Sequence, residues 1–297
     1  MEQLLNYFSL GLQDKGVGET IGMEIETSFV NERGEPITLA QSQQLLILLC
    51  NEYGWFAGKM KNNLLTSIFN RNGNRILYEL GRQNIELSSA SGDPVDVFLD
   101  TKEILGQVYN AAARVGAFPS FQPILDTEEE LLVIPDERDA IWLELDGRQA
   151  LELLARTSSV QFTVSVSLAN AIQCLNKLGR NLDRFLADYP QDEYWKKYIK
   201  TSKANYNLLR YGGPLHFDSL EHYCAELVKN KVVVGPKLVP YQDITNLDIP
   251  LYLRSIWWYF RLRRYDDTLC IEVRPLGRWS DDKFAEQMRM VFGILDS

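Results

Sequence analysis

The sequence predicts an α+β fold in which helices cover one side of an antiparallel sheet. Four segments alternate polar with apolar residues, the pattern of strands whose two faces meet different surroundings: residues 21–29, 75–89, 159–168 and 256–275. The second and fourth segments contain a turn and are expected to fold back as hairpins, which makes neighbouring strands antiparallel. Runs with helical spacing lie between the strands.

Capping residues mark where the clearest helices begin and end. Thr38 precedes a run of leucines that stops at Gly54, and Asp93-Pro94 opens a long run that reaches Gly116. Threonine and aspartate accept hydrogen bonds from the free N–H groups of a helix N-terminus, and glycine readily adopts the conformation that ends a helix. Two further runs have helical spacing, 147–155 and 168–186, the second with Gly179 as a candidate break.

Length and composition favour one domain. The chain has 297 residues, of which 45% are hydrophobic and 24% charged, so a disordered or fibrous chain is excluded. This length permits two domains, but the sequence contains no fixed-period repeat, low-complexity tract or Gly/Ser linker. A single domain spanning residues 1–297 is therefore expected, with the acidic segment 126–139 as a surface loop.

Charge and hydropathy exclude several classes of partner. The 31 basic and 40 acidic residues give a net charge of −9 and a pI near 5.0, which opposes non-specific binding to nucleic acid and to anionic membranes. The longest apolar stretch, residues 45–50, is far shorter than the ~20 residues of a membrane helix. The first sixteen residues lack a basic start and a small-residue cleavage site, so a cytoplasmic protein is expected.

Cysteines and histidines do not form a recognisable zinc or redox motif. The four cysteines are scattered without a CxxC pair, and the two histidines are His216 and His222. These are too few for a zinc site of the usual spacing, and reduced, packed thiols are expected.

Carboxylates gather on the polar faces of the first three strands. An ordinary sheet with a solvated outer face shows the same alternation, but solvated faces usually intersperse both signs of charge. Gathered carboxylates repel one another unless cations bind, and Mg²⁺ or Mn²⁺ are the ions that favour oxygen ligands. Four glutamates and one arginine share these faces: Glu24, Glu26, Arg75, Glu79 and Glu86.

The two remaining segments add polar groups that are expected to face the same site. Residues 159–168 alternate completely, with Gln161 and Thr163 on the polar face. The return strand of the last hairpin places Glu272 and Arg274 on one face. We therefore predict that the four polar faces lie together on one side of one sheet.

Four motifs span most of the chain: Gly22-Met-Glu-Ile-Glu26, the Glu-turn-Glu-Leu-Ser segment at 78–88, Thr157-Ser-Ser-Val-Gln-Phe-Thr163, and the closing hairpin with Trp257-Trp-Tyr-Phe-Arg261 and Ile271-Glu-Val-Arg274. Taken together, they resemble the motifs of the glutamate–cysteine ligases and related carboxylate–amine ligases, and they occur in that family's order. The resemblance implies the glutamine synthetase-like fold, a curved antiparallel sheet with a polar concave face and helices on its back.

The resemblance also implies roles for individual residues. Arg274 and Arg261 would contact phosphate oxygens, with Arg210, beside the Tyr211-Gly212-Gly213 turn, as a third phosphate contact. Gln161 and Thr163 would bind substrate or complete the metal shell, although the family has His or Asn at the position of Thr163. The implied metal ligands are Glu24, Glu26, Glu79, Glu86 and Glu272.

The function implied is ATP-dependent amide-bond formation with Mg²⁺ or Mn²⁺. The γ-carboxylate of glutamate would be activated as an acyl phosphate and captured by cysteine or another amino acid or amine, so the partners would be small molecules. Two alternatives remain open. A catalytically silent family member acting as a binding or regulatory subunit would explain Thr163 and the short chain, and a metal-dependent phosphohydrolase would use the same ligands without an amine.

Overall fold

The computed structural model describes residues 1–133 and 137–297. The helices in this part of the chain are α1 (Glu2–Ser9), α2 (Leu39–Glu52), α3 (Pro94–Arg114), α4 (Glu137–Asp146), α5 (Arg148–Ala155), α6 (Leu168–Arg180), α7 (Leu182–Leu186), α8 (Gln191–Thr201), α9 (Leu220–Leu227), α10 (Ile249–Arg254) and α11 (Lys283–Asp296). The strands are β1 (Ile21–Val30), β2 (Phe56–Lys61), β3 (Leu64–Phe69), β4 (Arg75–Tyr78), β5 (Asn84–Ser88), β6 (Phe118–Ser120), β7 (Ser159–Ser165), β8 (Tyr211–Gly212), β9 (Val232–Val234), β10 (Lys237–Val239), β11 (Trp257–Trp258), β12 (Phe260–Tyr265) and β13 (Thr268–Gly277).

One large antiparallel sheet organises the described residues. Its strand order is β12-β13-β7-β1-β5-β4-β3-β2, and β6 pairs with the far end of β1. All four alternating segments of the sequence contribute to it, and β1 lies between β7 and β5. The predicted mixed fold with an antiparallel sheet is confirmed.

The two helices with predicted caps form as expected. Thr38 begins α2 with a capping box in which its hydroxyl accepts from the Gln41 N–H, and Gly54 follows the helix at φ +75°. The Asp93 side chain accepts from the first free N–H groups of α3, and Gly116 follows that helix at φ +68°. Local sequence therefore determines both ends of these helices.

The predicted run 168–186 divides into α6 and α7, but the break lies at Asn181, after Gly179. Gly179 is inside α6, where a Cβ atom would lie 2.0 Å from the carbonyl oxygen of Leu215. The absence of a side chain at Gly179 therefore allows the backbone at Leu215 to pack closely against α6. The predicted loop at 126–139 is too long, because α4 begins at Glu137; residues 134–136 lie outside the described residues.

The closing hairpin also differs from its predicted bounds. It turns at Asp266 as expected, but its first strand begins at Phe260. The preceding Trp257–Trp258 belongs to a separate parallel pair with Tyr211–Gly212. Residues 256–260 are all apolar or aromatic and contain no glycine, proline or other turn signal, so the sequence did not reveal the break between the two strands.

The apolar face of the sheet forms the core with α2, α3 and α6. Ile21, Met23 and Ile25 of β1 are all buried on this face. Thr27, the polar exception in the alternation, accepts a hydrogen bond from Arg278 Nε at 3.0 Å. Arg278 is itself fully buried and also binds Asp281, so Thr27 satisfies a buried guanidinium.

Helices also stand over part of the polar face. Side chains of α4, α5, α8 and α10 line one compartment together with the glutamates of the sheet. The sequence predicted helices only on the back of the sheet. This second group of helices covers the part of the polar face around β5 and the turn that joins β4 to it.

Candidate active site

Three carboxylates meet where β1, β4 and β5 run side by side. Glu26 of β1 is the register partner of Glu86 of β5. Glu79 follows β4 directly, and its N–H donates to Asn84 O at 3.1 Å. One carboxylate oxygen from each of the three glutamates lies within 4.8 Å of the other two. We call Glu26, Glu79 and Glu86 the carboxylate cluster.

Neighbouring strands hold the Glu26 carboxylate in place. Its Oε2 accepts from the backbone N–H of Ser159 at 2.7 Å, and its Oε1 accepts from Gln161 Nε2 at 3.2 Å. Gln161 Oε1 in turn accepts from Arg274 Nη1 at 2.7 Å. Gln161 therefore links the carboxylate cluster to an arginine on β13.

The electrostatics of the cluster favour a cation. The pKa of Glu26 is raised to about 8, first because burial disfavours the charged form and next because Glu79 repels it. Burial, with repulsion by Glu24 and Glu79, raises the pKa of Glu86 well above its ordinary value. Oxygen ligands that ionise reluctantly beside one another suit Mg²⁺ or Mn²⁺, which would stabilise their charged forms. The residues present fit such an ion.

Glu272 has different surroundings. Arg261 holds it with two hydrogen bonds, Nε to Oε2 at 3.0 Å and Nη2 to Oε1 at 2.7 Å. Arg274 Nη1 donates to Oε1 at 2.5 Å, and Arg263 Nε lies 3.7 Å from Oε2. Burial acts to raise the pKa of Glu272, but the three guanidiniums hold it below its usual range. Glu272 thus lies among arginines and apart from the carboxylate cluster, and its role as a metal ligand stays a prediction.

The arginines around Glu272 differ in their free donors. Arg261 also donates through Nη1 to the carbonyls of Leu253, at 2.8 Å, and Ile256. Arg263 is 6% exposed, and its Nε and Nη1 have no hydrogen-bond partner within the described residues. Buried donors of this kind are costly unless an acceptor binds. An anionic group is the acceptor that suits a guanidinium.

Glu24 lies where three compartments of the polar face meet, since it lines all of them. Burial, followed by repulsion from Glu272, raises its pKa. The basic compartment has a volume of about 580 Å³ and includes Arg75, Arg254, Arg261, Arg263 and Arg274. The hydroxyl compartment, of about 480 Å³, includes Thr20, Ser88, Ser89, Ser91 and Thr163. The aromatic compartment, of about 220 Å³, includes Trp142, Trp195 and Trp257 above the carboxylate cluster.

Two residues singled out from the sequence lie away from the cluster. Thr163 pairs with Gly22 and Glu272 across the sheet and lines the hydroxyl compartment. Arg210 is 1% exposed behind Trp257, where it donates to Lys231 O at 2.8 Å and to Ser255 Oγ at 2.7 Å. The structure therefore brings Arg274, Arg261 and Gln161 to the site and leaves Arg210 in the packing behind it.

Sequence reasoning missed several residues that line the site. Trp142, Trp195 and Arg254 come from helices whose position over the polar face depends on distant contacts. Tyr189 reaches the same compartment from the loop before α8. The available signals were the tryptophans themselves, one at 142 and one at 195, and a tryptophan does not by itself distinguish a pocket wall from a core. Arg263 lies two residues after Arg261 on β12, so the alternation that places Arg261 on the polar face could have identified Arg263 as well.

The fold is the glutamine synthetase-like fold that the motifs predicted. Two solved structures resemble the chain along nearly its whole length. A bifunctional glutathione synthetase from Pasteurella multocida aligns with a TM-score of 0.53 and 12% identity over 93% of this chain. A glutamate–cysteine ligase from Francisella tularensis, solved in complex with AMP, aligns with a TM-score of 0.53 and 11% identity over 96%. At these identities the likeness concerns the fold alone.

The chain matches only part of the length of each of these two structures. The alignments cover 39% of the Pasteurella multocida chain and 68% of the Francisella tularensis chain. No protein-family model and no curated protein matches the sequence. Within the described residues, none of the helices has the length and apolar character needed to cross a membrane. The cytoplasmic location stays a prediction.

Proposed function

We propose that the chain is an ATP-dependent carboxylate–amine ligase that activates the γ-carboxylate of glutamate and joins it to an amine. The observation that supports this most is the carboxylate cluster, which lies beside the basic compartment on one face of the sheet. Phosphoryl transfer between two anions asks a protein mainly for positioning and charge neutralisation. An acidic metal site next to arginines supplies both.

The residues divide the work by the groups they can bind. The basic compartment takes the triphosphate, because the guanidiniums of Arg263 and Arg274, which line it, suit phosphate oxygens as acceptors. Arg261 fixes Glu272 and so positions Arg274. Mg²⁺ or Mn²⁺ bound by Glu26, Glu79 and Glu86 would screen the negative charge that collects on the phosphates. Gln161 bonds to both Glu26 and Arg274 and so fixes the carboxylate cluster relative to the arginines.

The proposed reaction has two steps, phosphorylation of the donor carboxylate and capture of the acyl phosphate by the amine. An oxygen of the donor carboxylate attacks the γ-phosphorus of ATP, the bond to the bridging oxygen breaks, and ADP leaves. The acceptor ammonium releases one proton, its nitrogen attacks the acyl carbon, and a second proton leaves the nitrogen as inorganic phosphate departs as HPO₄²⁻. The net products are an amide, ADP, phosphate and one proton. No nucleophilic side chain is required.

Hydroxylamine tests this proposal without knowledge of the amine. It captures an acyl phosphate as a hydroxamate, and the full-length protein with glutamate, ATP and Mg²⁺ is expected to release ADP and hydroxamate in equal amounts. Glu86→Gln should abolish both, whereas Glu32→Gln, an exposed glutamate, should behave as wild type. If neither product forms, the result would favour the silent family member. ADP and phosphate without hydroxamate would favour the phosphohydrolase.

A further inference from the structure

The aromatic compartment has a rigid wall. The ring of Trp257 lies 5.8 Å from that of Trp142 and 5.6 Å from that of Trp195, centroid to centroid. Trp195 also stacks on Tyr211, with centroids 5.4 Å apart and an interplanar angle of 4°. Three tryptophans from three different elements thus hold one another in position. Such packing restricts ring rotation and presents a preformed apolar surface.

Buried hydrogen bonds behind the wall support this arrangement. The Tyr211 hydroxyl donates to Asp192 Oδ1 at 2.9 Å, the Tyr259 hydroxyl donates to the same oxygen at 2.5 Å, and Lys196 Nζ lies 2.6 Å from Oδ2. Asp192 is on α8, three residues before Trp195, and is 7% exposed. The carboxylate of Asp192 therefore anchors the helix that carries Trp195 to the strand beneath it.

The opposite wall of the same compartment is acidic, formed by the carboxylate cluster. A ligand here meets indole rings on one side and carboxylates on the other. A primary amine on an apolar body matches both, because its body excludes water from the tryptophans, and its ammonium is attracted by the faces of aromatic rings and by Glu24, a carboxylate of this compartment outside the three that would hold the metal ion. Arg254 and Arg274 also line this compartment, but the adjacent basic compartment has three further arginines and more than twice the volume, so phosphate groups suit the basic compartment better.

The size of the compartment limits the body of the ligand. Its volume of about 220 Å³ is below the roughly 300–1,000 Å³ of sites for drug-sized molecules. Leu151, Leu154 and Leu251 complete the apolar wall. A methyl or thiol group would leave most of this surface uncovered, whereas one aromatic ring would contact it.

We propose that the acceptor amine of this ligase carries an aromatic or bulky aliphatic body, which the tryptophan wall selects. This inference rests on the proposed ligase function and adds the chemical class of one substrate. Trp142 is the specificity residue that can be tested most directly, because it lines the compartment and is only half-buried. Trp257 is less suitable for mutation, since it also packs on Tyr198, Tyr206 and Arg210.

The experiment measures amide formation by the full chain with glutamate, ATP, Mg²⁺ and matched acceptors. The pairs are phenethylamine against methylamine and phenylalanine against alanine, with cysteine as a further small acceptor. The aromatic member of at least one pair is expected to show a kcat/KM higher by about tenfold or more. Trp142→Ala and Leu251→Ala should reduce that ratio, while the KM for ATP changes less than about twofold.

Trp279→Ala is the matched control, because Trp279 is a half-buried tryptophan in a different groove and should keep the wild-type ratio. Trp142→Phe retains a ring and should restore most of the preference, which separates selection from a folding defect. Equal or better use of methylamine, alanine or cysteine would overturn the inference. A rise in the KM for ATP at Trp142→Ala with an unchanged acceptor ratio would also overturn it and assign the wall to the adenine ring. Absence of hydroxamate from wild type would instead overturn the ligase function and this inference with it.

Discussion

Glu26 lies directly opposite Glu86 across the antiparallel pair of β1 and β5, with both carboxylates on the polar face of the sheet. Like charges opposite one another destabilise a strand pair, and both side chains are buried. A bound cation would therefore stabilise the pairing of β1 and β5. The relationship leads to predictions for stability as well as for activity.

The first prediction concerns pH in the absence of divalent metal. The pKa of Glu26 is about 8 in the fold, and burial also raises the pKa of Glu86 and Glu24. Carboxyls whose pKa is raised by folding take up protons on folding, so they favour the folded state at low pH and lose this effect as pH rises through their folded pKa. In EDTA, the free energy of unfolding should fall between about pH 5 and pH 8.

Urea titrations at several pH values, with EDTA and with Mg²⁺, measure this dependence. Mg²⁺ should flatten the fall, because the ion stabilises the charged carboxylates. A free energy of unfolding that rises from pH 5 to pH 8 in EDTA would contradict the prediction.

Glu86→Gln should separate stability from metal binding. Glutamine is neutral, so the metal-free variant needs neither the buried charge nor the proton uptake that folding demands of Glu86 at pH 8. It should therefore be more stable than wild type at that pH, by roughly 1 kcal/mol or more. The same change should remove the stabilisation by Mg²⁺. Differential scanning fluorimetry with and without Mg²⁺ checks both effects, with Glu32→Gln as the surface control. If Mg²⁺ stabilises Glu86→Gln as much as wild type, the cluster is not the metal site.

Mg²⁺ and ATP are expected to raise the melting temperature more together than the sum of their separate effects. The glutamates repel a triphosphate that carries no metal ion. The metal-bridged form is compatible with both the carboxylate cluster and the basic compartment. Thermal scans with each ligand alone and with both decide this. An equal shift by ATP with and without divalent metal would exclude the coupling.

Glu272 and Arg274 should differ in what their substitution costs. Glu272→Gln leaves Arg261 and its neighbours without their buried counter-ion and should destabilise the fold by about 3–5 kcal/mol. Arg274→Lys keeps the charge but loses the planar fork, so it should lower turnover more than it weakens ATP binding.

Melting temperature and steady-state ADP release measure these two effects, and Glu286→Gln, an exposed glutamate, is the control for Glu272→Gln. Near wild-type turnover in a well-folded Arg274→Lys would mean that Arg274 is only a counter-ion of Glu272.

Arg210 is predicted to stabilise the fold without binding ATP. Arg210→Lys removes the two-sided contact with Lys231 O and Ser255 Oγ and should cost about 1–3 kcal/mol, with no change in the KM for ATP. Arg180→Lys, at an exposed position, serves as the control. A selective rise in the KM for ATP would restore the phosphate contact that the sequence motifs implied for Arg210.

The sequence by itself determined the local features of this protein. Period-2 alternation assigned Glu24 and Glu26 to one face of β1, and it did the same for Gln161 and Thr163 on β7. Thr38 and Asp93 fixed the beginnings of two helices. These signals are readable because a strand's faces and a helix's cap depend on residues within a few positions. The single-domain organisation stays a prediction.

Only the tertiary structure decided which polar residues meet. Alternation places Glu272 and Glu86 on polar faces, but strand order and register put Glu86 opposite Glu26 and surround Glu272 with arginines. The tryptophan wall likewise depends on α4 and α8 packing over the polar face of the sheet. Strand pairing and helix docking join segments that are far apart in the sequence, and the energy that fixes them is shared among many contacts. No local pattern contains that information.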